Sequence, residues 1–83
     1  MKVRIYAQRE SGAELLGAIV LQGGQLIPEP KIPALVNLLA DPLFLYENGK
    51  DVEIEASKEP KRFLEALPKA VRGSYFWAGE VEE

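Results

Sequence analysis

The chain has 83 residues, 47% of them hydrophobic and 28% charged, with a formal net charge of −3. That length gives one domain, residues 1–83, and that composition excludes a disordered chain, which has fewer large apolar residues and more uncompensated charge. Cysteine, histidine and threonine are absent, which removes thiol chemistry, Cys-ligated metal and the commonest general base.

Lys2 to Gln8 alternates, with Val3, Ile5 and Ala7 on one side and Lys2, Arg4, Tyr6 and Gln8 on the other. This predicts a strand with one buried face. A signal peptide would place an unbroken apolar run after its basic residues, unlike the alternation seen here, and the absence of cysteine points to a reducing cytoplasm. Arg9 to Ala13, with Ser11-Gly12, reads as a turn. Leu15 to Gln22 is a second strand, apolar on both faces: Leu15, Ile19 and Leu21 against Leu16, Ala18 and Val20. It is far too short to span a membrane. Gly23-Gly24 suits a two-residue hairpin turn, and Gln25-Leu26-Ile27 would be a short return strand stopped by Pro28 and Pro30.

Ile32 to Ala40 predicts a short helix, with Pro33 in its first turn and Ile32, Leu35, Val36 and Leu39 as its apolar stripe. Leu43 to Tyr46 and Asp51 to Ala56, joined through Asn48-Gly49, form the clearest hairpin. Val52, Ile54 and Ala56 point inward there, and Asp51, Glu53 and Glu55 outward. Ser57 is the expected N-cap of a second helix, whose buried stripe is Phe63, Leu64 and Leu67. Pro68 predicts a kink or restart, with Gly73 closing the element. Ser74 to Val81 is a last strand, again apolar on both faces: Tyr75, Trp77 and Val81 against Phe76 and Ala78.

The order β-β-(β)-α-β-β-α-β predicts an α+β domain. Its expected form is a single mixed or antiparallel sheet of four to five strands with two short helices on one face. The order resembles that of β-grasp folds, which implies first and last strands running parallel side by side. Such a resemblance concerns the fold alone.

Few residues suggest chemistry. Asp51, Glu53 and Glu55 share a strand face about 6.5–7 Å apart, a straight row rather than a converging metal cage. If that strand neighboured the first, the row would pair with Lys2 and Arg4. Lys58, Lys61, Arg62, Lys69 and Arg72 cluster on or beside the second helix, where Glu59 and Glu65 provide pairing partners. Arg72 to Ala78 interleaves basic and aromatic residues but does not match the RNA-recognition-motif pattern, since Ser74 stands where its first aromatic belongs. No residue is expected to hold a metal or cofactor.

Strands apolar on both faces must be covered on both, and two short helices roof only one side of a sheet. A bare apolar strip around Tyr75 and Trp77, or around Ile19 and Leu21, is therefore expected. Such a strip marks a binding surface. The expectation is a non-enzymatic protein-interaction or regulatory module, of antitoxin, adaptor or phage-accessory kind, binding a protein partner or a second copy of itself through Arg72, Tyr75 and Trp77. Alternatives are an RNA or single-stranded nucleic-acid binder, which the acidic balance disfavours, and a small enzyme working without His or Cys. Eleven Glu against two Asn and three Gln, with prolines at element boundaries, is also a thermophile-like bias.

Overall fold

The computed structural model describes residues 1–71 and 75–83. Among these residues six strands and two helices follow one another as β1 (Lys2–Arg9), β2 (Gly12–Gln22), β3 (Gln25–Glu29), α1 (Pro33–Ala40), β4 (Leu43–Glu47), β5 (Lys50–Ile54), α2 (Pro60–Ala70) and β6 (Phe76–Glu82). The class is α+β with antiparallel strands and two short helices, as the periodicity predicts. The strands do not join one sheet, however. They divide into a four-stranded sheet, ordered β3-β2-β1-β6, and a separate β4-β5 hairpin.

Both edges of the larger sheet discourage a further strand. Pro28 removes a donor from β3, and on the β6 edge the Ala78 N–H already donates to the Val71 carbonyl at 3.1 Å. The hairpin instead lays Leu43, Leu45, Val52 and Ile54 onto the shared core. The β-grasp expectation is corrected as well. First and last strands are neighbours, but β6 starts beside Ala7, at the far end of β1, and runs back antiparallel.

Local chemistry accounts for the turns and helix starts. Gly23-Gly24 and Asn48-Gly49 all have positive φ, as two-residue hairpin turns of this hand require. Pro33 and Pro60 each open a helix, where no amide hydrogen is missed. Ser57 does not cap α2. It lies in the preceding turn, and Glu59 holds the N-cap position because Pro60 sets the first helical residue. α2 continues through Pro68 to Ala70, and the expected closure at Gly73 lies outside the described residues.

The core joins the inner face of the sheet (Val3, Ile5, Ile19) to Leu35 of α1, to Phe63, Leu64 and Leu67 of α2, and to Leu43 and Ile54 of the hairpin. In α1, Val36 proves 45% exposed, and Leu38 takes its expected place against the core. Inward burial of Ile54 and outward exposure of Asp51 and Glu53 follow the hairpin's alternation. The described basic residues on and beside α2 are exposed, and Lys58 and Arg62 are paired. Lys58 Nζ lies 2.7 Å from Glu55 Oε2, and Arg62 lies 3.3 Å from both Glu59 Oε1 and Glu47 Oε2. A hydrogen bond to Glu55, aided by that carboxylate's charge, raises the Lys58 ammonium above its ordinary value. Glu59, then Glu47, does the same for the Arg62 guanidinium.

Candidate functional site

Two bulges decide what the larger sheet shows to solvent. The β1–β2 register slips between Ile5 and Tyr6, so Leu16 is an extra residue in β2. Strict alternation puts Leu15 with Ile19 and Leu21. The bulge instead turns Leu16 inward and leaves Leu15 opposite Tyr6 on the outer face, 55% exposed. The β1–β6 register slips between Val3 and Ile5, at Gly79 and Glu80, which moves Val81 to the inner face with Ala78 and Phe76.

The outer face therefore holds a cross-strand row of Trp77, Tyr6 and Leu15. The rings of Tyr6 and Trp77 stack with centroids 5.4 Å apart and planes 14° apart. Tyr75 extends the row at the end of the sheet: its carbonyl accepts the Gln8 N–H at 2.7 Å, and its side chain is 72% exposed. Ala18, Val20 and Ile27, all half-buried, continue the apolar surface across β2 and β3. Lys2 and Arg4 flank it, with Arg4 Nε 3.4 Å from Glu82 Oε2. Both helices pack on the opposite face. Among the described residues no element covers this one.

Tyr75 and Trp77 thus lie on the same face, whereas Arg72 lies outside the described residues. Of the second strip foreseen, Ile19 is fully buried and Leu21 packs against the core, so neither contributes. Tyr6 and Leu15 were not anticipated. Tyr6 sits on the polar side of its alternation and joins the site only because β6 is its neighbour. For Leu15 the available signal was Gly17, a glycine inside a strand pattern and hence a bulge candidate. The acidic row does not meet Lys2 and Arg4, since among the described residues β5 pairs with β4 and not with β1.

On the inner side, Phe76 and Val71 border a groove of about 410 Å³ with Ile5, Leu16, Leu35 and Leu38. Among the described residues its polar lining is Asn37 and Asp41. Among the described residues no group of three or more acidic side chains converges as a metal site would require. Among the described residues no helix is long and apolar enough to cross a membrane. Compared with protein-family models, with curated proteins and with solved structures, the chain matches none.

Proposed function

We propose that the protein is a non-enzymatic interaction module that receives a protein partner on the outer face of its four-stranded sheet. It acts in the cytoplasm and without metal or cofactor. The observation that carries this reading is the uncovered row of Tyr75, Trp77, Tyr6 and Leu15, flanked by Lys2 and Arg4. Contiguous exposed apolar surface rimmed by charge favours association, and Trp, Tyr and Arg supply most interface energy. An 83-residue chain also leaves a thin margin of stability, which a partner, a second copy included, would widen.

Trp77→Ala is the direct test. Trp77 lies outside the buried core, so its loss should cost no more than about 2 kcal/mol of stability, mainly the Tyr6 stack and some buried area. Urea denaturation checks that the variant stays folded. Light scattering and affinity capture from the native cell, each with wild type beside Trp77→Ala and Tyr75→Ala, then check association. The expected result is self-association, or retention of particular proteins, that wild type shows and both folded variants lose. Variants that stay folded and keep every associate would overturn the proposal.

A second reading rests on the same face. Tyr6 and Trp77 beside Lys2 and Arg4 form a small stacking platform with cations, an arrangement that suits unpaired bases. Quenching of Trp77 fluorescence by oligouridylate, reversed by added salt, would support it. No quenching at low ionic strength would end it.

A further inference from the structure

The β4-β5 hairpin carries a second open surface, independent of the Trp77 face. Its two-residue turn fixes which backbone groups are free. In such a hairpin the pair that closes the turn, here Glu47 and Lys50, exchanges hydrogen bonds, and exchange then alternates along the ladder. Leu45–Val52 and Leu43–Ile54 are therefore bonded pairs. The N–H and C=O groups of Asp51 and Glu53 point away from β4, to the side where, among the described residues, no strand lies. Among the described residues, no backbone hydrogen bond reaches Asp51 or Glu53 from outside the hairpin.

The side chains of the same two residues are exposed on the hairpin's outer face; among the described residues neither carboxylate forms an ion pair, although Glu53 lies near enough to the Lys58 ammonium for its charge to act on it. Directly across from them stand Tyr46, opposite Asp51, and Phe44, opposite Glu53. These rings are 74% and 67% exposed. Beneath, Val52 and the fully buried Ile54 tie β5 to the core, so the edge is held in place before anything binds.

We propose that the open edge of β5 takes up an extended basic segment of another protein as a third strand. Main-chain bonds to Asp51 and Glu53 would supply the pairing, as in other strand additions. Charge sets the occupant. Side chains of an incoming strand lie about 4.5–5.5 Å from those directly opposite, where opposite charges attract and like charges repel. A second copy offering its own β5 would set Asp51 and Glu53 against acidic residues, so self-pairing is disfavoured. A segment with basic residues at alternate positions matches both carboxylates at once. Arginine fits better than lysine, because its planar guanidinium extends over the Phe44 and Tyr46 rings one strand further on.

Charged residues on an edge strand also serve simply to prevent aggregation, and the experiment separates the two roles. The full chain, labelled for amide NMR, is titrated at low ionic strength with a blocked peptide of sequence Thr-Arg-Val-Arg-Val-Arg-Thr. The proposal expects shifts centred on Asp51, Val52 and Glu53, and slowed exchange of the Asp51 and Glu53 amides. Affinity should fall about fivefold or more in Asp51→Asn/Glu53→Gln. It should fall again when alternate peptide amides are N-methylated and cannot bond to the edge. Trp77→Ala should leave uptake unchanged, so failure of the sheet-face reading would not affect this result. The proposal is overturned by no binding, by shifts elsewhere on the chain, by equal affinity for the N-methylated peptide, or by an Asn/Gln variant that binds as before.

Discussion

Gly17→Ala is expected to lower stability by about 3 kcal/mol, the upper end of what overpacking costs, and to move the urea midpoint without changing its slope. Gly17 sits at the β2 bulge with φ +155°, a backbone that side chains rarely adopt. A Cβ there would overlap the Glu29 carbonyl oxygen and stand 2.8 Å from both Leu35 Cδ1 and Pro30 Cδ. Two of these neighbours belong to the backbone and a proline ring, which cannot rotate away, and Leu35 is fully buried. Relief therefore requires the β2 bulge to open. Opening it would also free Leu15 from its place beside Tyr6, so the variant links core packing to the composition of the outer face. Gly79→Ala provides the contrast, because the nearest atoms its Cβ would meet are the Tyr6 ring at 3.4 Å and Arg4 at 3.5 Å or more. That change should stay within about 0.5 kcal/mol of wild type. Equal effects at the two glycines would show that close approach is not what Gly17 provides.

The same bulges explain which parts of the molecule could be read from the residues. The β4-β5 hairpin was legible because its signals are local: Asn48-Gly49 takes positive φ, and the flanking alternation puts Val52 and Ile54 inward. The face of β1 was legible for the same reason. Helix starts at Pro33 and Pro60 were nearly so, although Pro60 rather than Ser57 decided where α2 begins. The faces of β2 and β6 were misassigned beyond their slips, at Leu15 and at Val81, because one extra residue reverses every side chain after it. Strand neighbours were out of reach too. Nothing near Tyr6 announces Trp77, and nothing near Asp51 says that Arg4 belongs to another sheet. The shortage of cover that suggested a binding face was visible in composition; the side chains forming that face depended on pairing and register.

Phe63→Ala should have the largest effect on the fold as a whole, about 3–5 kcal/mol, and should disrupt both sheets together. Phe63 is fully buried near the start of α2. That helix touches β1, β2, β3 and β6 of the larger sheet and also β4 of the hairpin, so it is the layer through which the two sheets share one core. Stability of about 0.05–0.15 kcal/mol per residue amounts to roughly 4–12 kcal/mol over 83 residues, and the loss consumes much of it. Unfolding followed by Trp77 fluorescence reports on the larger sheet, and amide exchange at Val52 and Ile54 reports on the hairpin. In wild type the two transitions should coincide, and in Phe63→Ala both should move to lower denaturant together. A hairpin that melts while Trp77 keeps its native signal would mean that the sheets are stabilised separately. The edge of β5 would then lack the rigid support that favours its pairing with an incoming strand, whereas coincident loss places that support in the helix both sheets share.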